Sequence, residues 1–131
     1  LWDMAARRAN LPLRRLIRAD APDHVAAYAS GIHISAAGNM MPNARAVGHR
    51  CFKLKVGFEM AADIAAVQEI HAGVSPGEAI ACDANQAWSL DQAKAFVTGV
   101  DDVPLQWLEE PLPVFEDPSA WRILAEHTSI P

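Results

Sequence analysis

Cys51-Phe52-Lys53-Leu54-Lys55-Val56-Gly57 is a short apolar stretch with a lysine at alternate positions and a glycine stop. Side chains alternate across a strand, so Phe52 and Leu54 share one face while Lys53 and Lys55 share the other. The apolar face can pack against surrounding helices, which sends both ammonium groups to the opposite side. Two further runs are built alike: Ala79-Ile80-Ala81-Cys82 closes on Asp83, and Val103 to Leu108 closes on Glu109. From Lys55 to Asp83 is 28 residues, and from Asp83 to Glu109 is 26, the length of one strand-plus-helix unit. Charge at the tip of a buried strand is costly unless it is paired or binds a metal. Three such tips at this interval point to one shared site.

Reading outward, strands are expected to start near Val25, Cys51, Ala79, Val103 and Ile130, a period of 24 to 28 residues. Val25 to Gly31 reads as a buried strand ending in a glycine turn. Pro42 is expected in the first turn of a helix running to about Val47, with Gly48 as its stop. Ala61, Ile64, Ala65, Val67 and His71 contribute to a helical stripe. Ser89 caps a helix through Val97, helped by Gln92, and Ser119 is expected to cap a last helix to His127. Earlier, Leu1 to Ala9 and Pro12 to Ile17 read as two short helical pieces. Alternating strands and helices at this period imply parallel strands joined by right-handed crossovers. Polar groups recur at successive strand ends, and no Gly-rich phosphate loop marks a switch point. The fold class is therefore α/β, the first half of a (β/α)8-type barrel rather than an open doubly wound sheet.

Composition narrows the function. The 131 residues are 51% hydrophobic and 21% charged, ordinary for a globular domain. A net charge of −5 gives no support for a nucleic-acid partner, and no run approaches a membrane span. Arg7, Arg8, Arg14, Arg15 and Arg18 read as solvated helix faces. Cys51 and Cys82 lack metal-ligand spacing and fit buried thiols of a reducing compartment, so a cytoplasmic location is expected. The chain opens inside a helical stretch and stops as a fifth apolar run begins, so it reads as part of a longer protein.

At the strand ends, two close ammonium groups should depress one another's pKa, and a dry pocket acts the same way. That would make a lysine base near neutral pH. Asp83 and Glu109 on adjacent strands, ~4.8 Å apart, repel unless a cation lies between them. Oxygen ligands without Cys or His favour Mg2+, or Mn2+, over zinc. Asn85 can support Asp83 or touch substrate, and Glu110, expected to face away from Glu109, is better placed to support a ligand than to be one. His33 follows the first strand and can contact substrate; an exposed loop histidine is the plainer alternative. The plainer alternative for the charges is an acidic pair balanced by Lys53 and Lys55 alone. The tryptophans at 88, 107 and 121 read as packing.

The motifs FKLKVG, CDANQAW and WLEEPLP, in this order and at these intervals, resemble the mandelate racemase and muconate-lactonizing branch of the enolase superfamily. The opening LWDMAARRANLPLRRLI resembles that family's link between capping domain and barrel, and VAAYASGI its first barrel strand. The resemblance implies that residues 1–22 end a capping domain and linker, and that residues 23–131 form the first four to five βα units of the barrel. It further implies Mg2+-assisted removal of the proton α to a carboxylate. Lys55 would be the base, Lys53 its electrostatic neighbour, and Asp83 and Glu109 two metal ligands. The implied substrate is a small hydroxy-carboxylate or sugar acid, for a dehydratase, racemase or cycloisomerase that forms a homo-oligomer. The 131 residues alone are expected to be nearly inactive. Two other readings compete: a Schiff-base aldolase barrel using Lys53 or Lys55, and a non-catalytic half-barrel that associates through its exposed edges.

Overall fold

Four parallel strands lie side by side in chain order: β1 (Ala29–His33), β2 (Cys51–Lys55), β3 (Ala79–Asp83) and β4 (Leu108–Glu109). The computed structural model describes residues 1–131. Two short helices precede the sheet, α1 (Trp2–Arg8) and α2 (Leu13–Ile17). Helices α3 (Ala37–Ala46), α4 (Met60–Ala72) and α5 (Leu90–Gly99) make the crossovers, and α6 (Pro118–His127) follows β4. The strand order never reverses, so there is no switch point of the doubly wound kind. The architecture is the opening part of a parallel (β/α) barrel, as expected. No helix is long and apolar enough to cross a membrane.

The helices and the sheet enclose one core. Phe52 and Leu54 of β2 are fully buried with Ile80 and Cys82 of β3, packed with Val67 of α4 and Phe96 and Val97 of α5. Trp88 lies against Phe96 with ring centroids 4.5 Å apart, a packing role as read from the sequence. Emptying such a site is expensive: Phe52→Ala should cost ~3–5 kcal/mol. Helix α5 starts where expected, because Ser89 and Gln92 form a complete reciprocal cap. Helix α3 ends in the paired bonds of a left-handed terminus: Gly48 N–H (φ +100°) to Arg45 O and His49 N–H to Ala44 O, at 3.0 and 3.1 Å.

Five local expectations are corrected. Strand β1 begins at Ala29 rather than Val25, whose side chain is exposed and has no core to enter, while the preceding Asp23 pairs with Arg14 and Arg15 outside the sheet. Gly31 does not end that strand but lies within it, at φ +74°, where the register with β2 shifts. Pro42 sits in the middle of α3 rather than its first turn, since Ile34, Ala37 and Met41 already form a buried stripe upstream. Regular pairing of the fourth strand is confined to Leu108–Glu109, although Val103 and Leu105 are buried; Pro104 has no N–H to give a ladder. The last helix is capped by Asp117, which accepts the Ser119 N–H at 2.8 Å, with Pro118 as first helical residue. Beyond β4, the Leu108 N–H donates to the Pro131 carbonyl at 2.8 Å, where the fifth strand was expected to begin.

Candidate active site

Register builds the site. His33 pairs with Lys55, Lys55 with Asp83, and Asp83 with Glu109, so one row crosses all four strands at their carboxyl ends. Paired residues on parallel strands project to the same face. One step lower, Lys53 pairs with Ala81, whose small side chain leaves room for the lysine stem to rise toward the row. The fold thereby delivers four charges to one place.

They meet directly. Lys53 Nζ donates to both oxygens of Glu109 at 2.9 Å and lies 3.1 Å from Asp83 Oδ2. Lys55 Nζ donates to Asp83 Oδ2 at 2.6 Å and to Asn85 Oδ1 at 2.8 Å. Asp83 also accepts the Asn85 N–H at 2.9 Å, and its side chain is only 2% exposed. Glu109 is more open, at 37%, and accepts Trp107 Nε1–H at 3.2 Å. Tyr28 meets Trp107 edge-on at 5.0 Å, and Lys53 Nζ lies 5.5 Å above the Tyr28 ring.

The expected mutual depression of the two lysines is corrected for Lys53. Burial pulls its pKa down, but hydrogen bonds to Glu109 and Asp83 outweigh that, so the net shift is upward. Each ammonium faces a carboxylate rather than the other ammonium. Asp83 is raised by burial, yet Lys55, the Asn85 amide and Lys53 together hold it below the ordinary aspartate value. Cys82, enclosed in the core near Asp63 and Asp83, has its thiol pushed up to about 12, which leaves it inert.

The remaining sequence candidates fall at the rim. His33 stacks on Phe58 with centroids 4.2 Å apart, and its Nδ1 is 2.8 Å from Ser35 Oγ. Glu110 is exposed and turned to Gln86, whose Nε2 lies 3.3 Å from its Oε2. The structure thus gathers Lys53, Lys55, Asp83, Asn85 and Glu109, with His33 and Glu110 outside their hydrogen-bond cluster.

Sequence reasoning missed two contributors. Trp107 was read as packing only, although its position two residues before Glu109 puts both on one face. Asp63, on α4, is buried and accepts the Gly57 and Phe58 N–H groups on one oxygen at 2.7 and 2.9 Å. It pins the turn that follows Lys55. The signal was Gly57, whose φ of +97° and 2.9 Å approach of an added Cβ to Ala84 O exclude larger residues.

The donor set can be tested against a divalent cation. Asp83 and Glu109 already share one cationic group, the Lys53 ammonium, so their oxygens converge on a spot that accepts positive charge. Both are hard oxygen donors, which suits Mg2+. No group of three His, Cys, Asp or Glu side chains able to hold an ion occurs in the chain, so it offers two carboxylates.

Sequentially ordered parallel βα units with charges converging at the strand carboxyl ends define a segment of a (β/α)-barrel protein with a polar mouth. A family profile described as enolase C-terminal domain-like matches residues 37–131, and the chain belongs to that family, in its mandelate racemase/muconate-lactonizing branch. It is 32% identical over 122 residues to the L-talarate/galactarate dehydratase of Salmonella typhimurium, covering 88% of this chain and 30% of that protein. It superposes with a TM-score of 0.94 on the crystal structure of a mandelate racemase/muconate lactonizing enzyme from Bordetella bronchiseptica, at 34% identity over 100% of this chain and 36% of that one. An L-talarate dehydratase from a Polaromonas species, crystallised with Mg and L-glucarate, gives a TM-score of 0.84 and 32% identity over 99% of this chain and 38% of that one. The chain spans 30% to 38% of the length of these relatives.

Proposed function

We propose that the complete protein carrying this chain is a Mg2+-dependent sugar-acid dehydratase that begins by removing the proton α to a substrate carboxylate. The observation that carries this reading is the convergence of Lys53, Lys55, Asp83 and Glu109 at adjoining strand ends. The 32% identity to a talarate/galactarate dehydratase supports a sugar acid as the substrate class. Residues 1–22 serve as the tail of a capping domain and its linker, and residues 23–131 as the first units of the barrel.

In this reading Asp83 and Glu109 hold the cation. Bound there, Mg2+ supplies Lewis-acid polarisation of the substrate carboxylate, which acidifies the neighbouring C–H. Lys55 Nζ, once it has given up its ammonium proton to solvent, takes the α proton as a neutral amine, with Asn85 Oδ1 as the acceptor that orients it. Lys53 acts as the cationic neighbour, and its positive charge offsets the negative charge that builds on the substrate. Trp107 steadies Glu109 through its indole N–H. The Schiff-base reading leaves Asp83 and Glu109 without a task.

The test is NMR of galactarate and talarate incubated with the complete protein in deuterated water. Exchange of the α proton and loss of water should require Mg2+ and stop in chelator. Turnover that persists in chelator, with borohydride trapping substrate on a lysine, would replace this reading by the Schiff-base one.

A further inference from the structure

We propose that Gln86 is a positioning residue that sets the separation of the Asp83 and Glu109 carboxylates by clamping the loop after β3 to the loop after β4. The inference rests on the metal-ligand reading of those two residues.

Three non-glycine residues in these loops have left-handed backbones: Asn85 (φ +47°), Gln86 (φ +64°) and Glu110 (φ +45°). Such conformations are uncommon outside glycine and persist where the surroundings over-determine them. Here the two loops hold each other. Gln86 N–H donates to Glu110 O at 2.7 Å, Ala84 N–H to Glu109 O at 3.0 Å, and Trp88 N–H to Pro111 O at 3.3 Å. The Gln86 side chain adds the reach that a backbone lacks. Its Nε2 donates to Glu110 Oε2 at 3.3 Å, and its Oε1 accepts the Val114 N–H at 2.9 Å. One amide thus ties down Glu110, the residue after Glu109, and Val114, further along the same loop. Its own backbone lies three residues past Asp83 and next to Asn85, which bonds both Asp83 and Lys55. Gln86 touches none of the four charges, so its effect must pass through loop geometry. Losing a group that hydrogen-bonds a metal ligand costs about 10–100-fold in affinity, and Gln86, one step further out, should act at the lower end of that range.

The experiment uses the complete protein and Mn2+ alone as the probe, read by electron paramagnetic resonance without substrate, alongside thermal melting. Gln86→Leu keeps the size but removes both side-chain bonds. Its Mn2+ affinity should fall about tenfold, with little change in melting temperature. Gln86→Glu should also bind weakly, because its carboxylate opposes Glu110. The exchanged pair Gln86→Glu with Glu110→Gln restores an amide donor facing a carboxylate and an acceptor for Val114 N–H, and should recover wild-type affinity. Wild-type affinity in Gln86→Leu, or a loss that the exchanged pair fails to restore, overturns the positioning role. A wild-type protein that binds no Mn2+ instead overturns the metal-site reading, and this inference with it.

Discussion

At the amino end of the sheet Arg45 grips Glu78, whereas at the carboxyl end two lysines share two carboxylates. Arg45 Nε reaches both Glu78 oxygens, at 2.9 and 3.1 Å, and Nη2 adds a bond of 2.9 Å. Ser75 N–H donates to the same carboxylate at 3.1 Å, and the guanidinium lies 5.3 Å above the Phe52 ring. This is a fork on a carboxylate, planar and permanently charged, with one donor side chain committed to one acceptor side chain. At the other end Lys53 is divided between Asp83 and Glu109, and Asp83 Oδ2 is divided between Lys53 and Lys55. An ammonium is a compact charge on a flexible stem, so these pairings are less fixed in geometry than a guanidinium fork. The two clusters lie at opposite ends of one sheet and differ in whether their partners are shared. A closed pair holds structure, and a shared one is available for chemistry.

The sharpest way to break that contrast is to remove Lys55. Lys55→Ala in the complete protein should lower α-proton exchange into deuterated water by about a thousandfold, as expected for loss of a general base. Mn2+ binding should be kept. If exchange persists after exchange on the opposite substrate face is excluded, the carboxyl-end cluster is an ion-pair staple like the other. Asp83→Asn comes next in size. It should weaken Mn2+ binding by more than the ~10–100-fold that loss of a ligand's supporting partner costs, and without metal it leaves two ammonium groups facing a single carboxylate. Unfolding in urea should then show a stability loss of ~3 kcal/mol.

The chemistry of the carboxyl end was legible because it is written in strand periodicity. Lys53 and Lys55 alternate with buried Phe52 and Leu54, and Asp83 and Glu109 each close an apolar run at the interval of one βα unit. Register did the rest, placing Lys55, Asp83 and Glu109 side by side. The amino-end pair was illegible for the opposite reason. Arg45 and Glu78 are 33 residues apart on elements with no shared period, and only the packing of α3 onto β3's entry loop joins them. The same holds for Gln86, whose value lies in reaching two neighbouring loops. Strand β1 starts four residues later than expected because Val25-Ala26-Ala27 is as apolar as a real strand, yet it lies exposed outside the sheet. The lysine shift was misjudged for Lys53 because the sequence shows two like charges on one strand, whereas folding supplies opposite ones from the next two strands.

The amino-end pair makes a smaller, purely structural prediction. Arg45→Ala leaves Glu78, whose side chain is only 5% exposed, with the Ser75 N–H but without its charged partner, and should cost ~1.5–3 kcal/mol in urea unfolding. Sugar-acid turnover per folded molecule should be unchanged. A loss of turnover without a loss of stability would join the two ends functionally and dissolve the contrast.

The smallest effect is a pH dependence that separates the clusters again. Arg45 holds Glu78 below the ordinary glutamate value despite its burial, and the Ser75 amide and Arg50 act in the same direction. A carboxylate with a depressed folded pKa binds more protons when unfolded, so stability rises with pH through the interval between the two values. The contribution is complete above the unfolded glutamate value of ~4.3 and is lost as pH falls through the lower, folded one. The stability gap between wild type and Arg45→Ala should therefore be widest at neutral pH and narrow as the solution is acidified below that value. Asp83 is depressed too, but it is present in both proteins and its contribution largely cancels in the difference. Urea midpoints measured from pH 7 down to 3 test this directly. A gap that stays constant across that range would mean Arg45 stabilises by packing on Phe52 rather than through Glu78, and the closed ion pair would be incidental to the fold.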